Sequence, residues 1–285
     1  MLTLGHTGQP IQPHDLWTAW DFSPTTLVLA SVVFWLFWRN SKSATDGRKR
    51  VWFASGFVLL LVATISPLDA LSESLASAHM VQHLLLILGV GPLLALSRPV
   101  ETVFSGLPRS LRKATGRARR RARLTPSMSR KLVKPVTTWL FLVSSLWIWH
   151  ASGPYELALQ SEFVHLVEHG VFLIGATLFW SVVLVDQRLS PVSPGFRILA
   201  VFTLALQGVL LAALLTFANE PWYESYAITA PNWNLDPLGD QQLAGLTMWI
   251  PSGLILTGIG VSMLVIWLGS LDDEQENASS DLSYP

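Results

Sequence analysis

The chain has seven histidines in 285 residues, and four of them fall in two nearly identical phrases. Residues 79–89 read HMVQHLLLILG and residues 165–175 read HLVEHGVFLIG, with His, Val, His and Gly at matching positions. Residues four apart share a helix face, with Cβ atoms about 5–6 Å apart. His79 with His83, and His165 with His169, can therefore each present two imidazoles to one ion. Glu168, three residues after His165, lies on the same face as its histidines. Imidazole suits copper, zinc, iron and nickel, and a thioether adds a preference for Cu(I). Met80, about 100° around the helix from His79, reads as a packing residue. The chain has no cysteine, so thiolate nucleophiles, Cys-based metal sites and disulfides are excluded.

The elements that carry these residues are membrane spans. Hydrophobic residues make up 51% of the chain and charged residues only 13%, against roughly 25% in soluble domains. Seven stretches approach the roughly 20 apolar residues of a span: about 24–38, 51–68, 78–97, 136–151, 163–185, 196–218 and 240–270. The expected fold is an all-α polytopic membrane protein, a seven-transmembrane helix bundle. Pro251 is expected to kink the last span, and Gly89, Gly91 and Pro92 to weaken the third. The start of the chain has neither a basic region nor an early apolar run, so it does not read as a cleaved signal peptide.

The charges orient this bundle. Eighteen of the nineteen Lys and Arg residues fall in the stretches that follow odd-numbered spans, twelve of them between Arg98 and Lys134, and the last, Arg197, is the second residue of the sixth span, at the same side. The N-terminal segment and the other loops carry only acids, among them Asp15, Asp69, Glu156, Glu220 and Asp236. The positive-inside rule then places the N-terminus outside and the C-terminus in the cytoplasm, and a cysteine introduced near Asp69 should label from outside. Three regions follow: an extracytoplasmic segment 1–23, a membrane domain 24–270 with a basic loop 98–135, and an acidic tail 271–285 expected to be disordered. The basic loop reads as an anchor on anionic lipids. It lacks interleaved aromatics, which argues against nucleic-acid binding.

In this topology all seven histidines lie on the outer side. His79 and His83 open the third span, His165 and His169 open the fifth, and His150 closes the fourth. The last span begins DQQLAGLTMWIP, bringing Asp240, Gln241 and Met248 toward the same layer. The candidate metal ligands are His79, His83, His150, His165, Glu168, His169, Asp240 and Met248. His6 and His14 lie on a terminal segment that loses entropy on joining a site, which makes them weaker candidates. Three other readings compete. HLVEH matches the H-x-x-E-H pattern of zinc peptidases, facing helices can hold a bis-histidine haem, and membrane histidines can simply hydrogen-bond across helices. A retinal protein needs a lysine within a span, and there is none.

Together HMVQH, the WH of LWIWHASGPYELAL, HLVEH followed by FLIGATLFW, and DQQLAGLTMWIP resemble the CtaG-type multi-span cytochrome c oxidase assembly proteins. The likeness runs from about residue 50 to 270. It implies a non-enzymatic assembly factor of the bacterial cytoplasmic membrane, helping to mature a haem–copper oxidase by delivering copper to its catalytic subunit. Such a factor would receive copper from a donor protein. The matching polar positions are His79, His83, His150, His165, Glu168, His169, Asp240, Gln241 and Met248.

Overall fold

The computed structural model describes residues 11–22, 24–41, 46–99, 134–184 and 192–281, with 102, 110, 111, 113, 114 and 117 between them. His6 and most of the basic loop 98–135 lie outside these. The regular elements among the described residues are helices, with no strand. The long elements are α1 (Pro24–Asn40) and α2 (Asp46–Ile65), then α3 (Pro67–Ser72) and α4 (Ala76–Leu84). A π-helical turn (Leu85–Val90) joins α4 to α5 (Gly91–Ser97). There follow α6 (Pro135–His150), α7 (Ser152–Gln160), α8 (Glu162–Leu184) and α9 (Pro194–Thr216). A short α10 (Ser225–Thr229) precedes α11 (Pro237–Asp281).

Each of the seven expected spans overlaps a helix, but among the described residues four helices qualify as membrane-crossing by length and composition: Ala76–Ser97, Glu162–Leu184, Pro194–Thr216 and Pro237–Asp272. The others fall short for physical reasons. The 17 residues of α1 and 16 of α6 reach about 24–26 Å against a hydrocarbon core of about 30 Å. Helix α2 carries Asp46, Arg48, Lys49 and Arg50 in its first five residues. At the other end, α11 takes in eleven residues of the tail expected to be disordered from 271, and nothing between Leu271 and Asp281 is a proline or glycine to stop it. It also runs through Pro251 without interruption.

Helix α8 is central, packing against α5, α6, α7 and the π turn. It runs parallel to the α4–π–α5 rod: His79 lies beside His165, His83 beside His169, and Gly91 against Ala176. A Cβ on Gly91 would stand 2.7 Å from that of Ala176, so glycine permits this approach.

The π turn follows from Pro92. The Gly91 N–H bonds back to the Leu86 carbonyl, and the next residue has no N–H. The Ile87 carbonyl is thus left without a helical donor, and Trp180 of α8 supplies one from Nε1 at 2.8 Å. Trp180→Phe is expected to lower stability by about 1–3 kcal/mol by orphaning this buried carbonyl. A thermal midpoint equal to the parent's would reject that account.

Candidate metal centre

The two histidine pairs meet between α4 and α8. Nε2 of His79 and Nε2 of His83 are 2.9 Å apart. The Glu168 carboxylate faces both, 3.6 Å from His79 and 3.5 Å from His83. Ligand atoms of His79, His83, Glu168 and His169 all lie within 4.8 Å of one another. An ion with bonds of about 2.0–2.2 Å separates its ligand atoms by up to about 4.4 Å, so the cluster closes on a metal by small shifts.

The polar inventory shows why an ion belongs there. Glu168 is fully buried, yet neither carboxylate oxygen accepts a hydrogen bond, and Nε2 of His169 has no hydrogen-bond partner. A buried carboxylate lacking a donor is costly unless a cation compensates it. The tautomer of His79 points the same way. The Tyr226 hydroxyl donates to the Ser72 carbonyl at 2.8 Å, so its oxygen accepts from Nδ1–H of His79 at 3.3 Å. This leaves Nε2 of His79 unprotonated, accepting from Nε2–H of His83 at 2.9 Å, with its lone pair on the side of the cluster.

A second group shares His169. Asp69 of α3 joins His165 and His169, again with ligand atoms within 4.8 Å. Gln82 holds the Asp69 carboxylate at 2.6 Å while donating to the Ala63 carbonyl at 2.7 Å. Each histidine pair thus faces a carboxylate, Glu168 for His79 and His83, Asp69 for His165 and His169.

The remaining expected ligands divide. His150 is buried with its ring 5.7 Å from that of His83, but Nε2 faces the sulfur of Met80 at 3.3 Å. Met248 lines a cavity of about 40 Å³ together with Met80, His83 and His150. Asp240 is not brought to the imidazoles. Its carboxylate crosses to the start of α4, accepting from Ala76 N at 2.6 Å, Ser77 N at 3.3 Å and Ser77 Oγ at 2.5 Å. Burial of that helix start next to α11 demands such a cap. Gln241 accepts from Trp222 N at 2.6 Å, fastening the segment before α10. His14 is exposed beside Asp15, away from the centre.

Three of the chain's four tyrosines also converge here. Tyr155 packs on His79 at 4.8 Å and stacks on Tyr223 at 3.8 Å, while Tyr223 donates to the His150 carbonyl at 2.9 Å. Glu156 accepts from the backbone and side chain of Ser225, fastening α10 over the aromatic cover. Sequence reasoning missed these tyrosines, Asp69, Gln82 and the role of Met80. Two signals were present: the tyrosines lie in segments after even-numbered spans, and Gln82 occupies in the first phrase the place of Glu168 in the second.

Fold and site together define an all-helical membrane protein with a buried histidine–carboxylate cluster between two parallel helices. Residues 30–270 match the family model described as cytochrome c oxidase caa3 assembly factor (Caa3_CtaG), and the chain belongs to that family. The resemblance carried by HMVQH, HLVEH and DQQLAGLTMWIP is borne out. No curated protein and no solved structure matches the chain.

Proposed function

We propose that this protein binds copper as cargo between α4 and α8 and helps insert it into a haem–copper cytochrome c oxidase, working on the extracytoplasmic side of a bacterial cytoplasmic membrane. The observation that carries this reading is the Glu168 carboxylate, buried without a hydrogen-bond donor and facing two imidazoles. Membership of an oxidase assembly family supports the oxidase catalytic subunit as acceptor. The absence of cysteine suits a centre on the oxidising side of the membrane. Histidine pairs that exchange one ligand at a time fit delivery to an acceptor better than turnover of a substrate. A compact ion fits better than a haem, because the ligand atoms of the His79–His83–Glu168–His169 group lie within 4.8 Å of one another and leave no span for a macrocycle between them.

In this reading α1, α2, the Ala76–Ser97 rod, α6, α8, α9 and α11 make seven spans, with α1 and α6 near the short end of the roughly 17–25 residues a span takes and the charged first turn of α2 at the membrane face. The confinement of Lys and Arg to one side of that arrangement sets the N-terminus outside and the C-terminus inside. The basic loop 98–135 then lies against anionic headgroups, and the His–Glu cluster faces a copper donor. In cells carrying His79→Ala/His83→Ala, oxidase copper content and activity are expected to fall by about tenfold or more. Normal oxidase copper at normal levels of the variant protein would reject delivery.

A further inference from the structure

Beyond the His–Glu cluster lies a second set of ligand-type side chains with different chemistry. The cavity of about 40 Å³ is bordered by Met80, His83, His150, Gly208, Met248 and Ser252. It has room for an ion or a few waters. It runs from His83 along the start of the π turn, past Leu84, Ile87 and Leu88.

The hydrogen-bond roles around His150 are determined. Nδ1 lies 2.8 Å from the Leu146 carbonyl, which can only accept, so the ring proton sits on Nδ1. Nε2 is then a bare lone pair, and it faces the thioether sulfur of Met80 at 3.3 Å, which is also an acceptor. Two lone-pair donors face each other with no hydrogen between them. Met248, the second methionine at this cavity, lines it beside Ser252, whose hydroxyl donates to the Met248 carbonyl.

From this geometry we infer a second metal site, formed by Met80, His150 and Met248 with His83, that takes a soft monovalent ion, Cu(I) or its analogue Ag(I). Every ligand in it is neutral. Thioether and imidazole select Cu(I), and a divalent ion there would lack a counter-charge in apolar surroundings. The His79–His83–Glu168–His169 cluster is the opposite case, with a carboxylate to balance charge. His83 belongs to both, since Nε2 joins the cluster and the ring borders the cavity. It can pass an ion between them by exchanging ligands, without any change of oxidation state. This inference rests on the copper reading for the identity of the physiological ion; the soft site itself follows from the ligand set.

The test uses the purified full chain in nanodiscs, loaded anaerobically with Cu(I) or Ag(I) and read by elemental analysis and X-ray absorption. The parent is expected to take up about two equivalents, with sulfur among the neighbours of one. Met80→Leu/Met248→Leu, which conserves volume, should drop to about one equivalent with nitrogen and oxygen neighbours only. His79→Ala/Glu168→Gln/His169→Ala should keep about one sulfur-bound equivalent. A parent without metal–sulfur scattering overturns the inference, as does a methionine variant that keeps both equivalents. So does a triple variant that binds nothing, because the thioethers would then only complete a single site. Failure of copper delivery in cells leaves these readouts untouched, so the two ideas fail separately.

Discussion

Glu168→Gln is expected to weaken copper binding by at least about 100-fold while making the metal-free protein more stable by about 1–3 kcal/mol. The two effects have one cause. In the metal-free chain the carboxylate is fully buried beside two imidazole nitrogens and accepts no hydrogen bond. A neutral amide replaces that unsatisfied acid and offers an N–H beside the two imidazoles. With metal bound, the same change deletes an anionic ligand. Affinity read by competition with a Cu(I) chelator should therefore fall while the metal-free thermal midpoint rises. A Gln variant that is less stable and binds copper normally would make Glu168 a structural residue.

Asp240 carries the second large effect, in the opposite sense. Asp240→Ala leaves Ala76 N, Ser77 N and Ser77 Oγ without their acceptor at a buried helix start and removes a tie between α11 and α4. The expected loss is about 3 kcal/mol, more than an exposed cap because the donors are removed from water. Asp240→Asn keeps one acceptor oxygen and should cost about 1 kcal/mol. Copper stoichiometry of the Asn variant should equal that of the parent, since Asp240 holds the frame of α4 rather than the ion. Hydrogen exchange over residues 76–79 should speed up in the Ala variant. A folded Asn variant that loses copper would instead make Asp240 a ligand.

Asp240 also shows the limits of sequence patterns here. Its place near the start of the last helix put it in the right layer, but not its partner. The acceptor role depends on α11 packing beside the start of α4, two elements more than 160 residues apart. Met80 shows the converse. Its angle from His79 read as packing, and the structure sets its sulfur against His150, which arrives on a third helix. The tyrosines gave little local signal, because single aromatic residues in short connecting segments carry no periodicity.

The amino-acid sequence by itself determined the helical class, the approximate place of each long helix, and which residues share a face within one helix. These are local or compositional properties: apolar runs, the i to i+4 spacing of the histidines, and the confinement of Lys and Arg to alternate loops. The family resemblance was legible for the same reason, since its motifs are short and ordered along the chain. Tertiary structure alone decided how the two phrases differ in use. Gln82 and Glu168 hold equivalent positions, yet Gln82 secures Asp69 opposite one histidine pair while Glu168 itself faces the other. That outcome depends on the rotation and depth of α8 against the α4–π–α5 rod. Those are set by the Gly91–Ala176 approach and the Trp180–Ile87 bond, which join distant parts of the chain and have no expression in the spacing of either phrase.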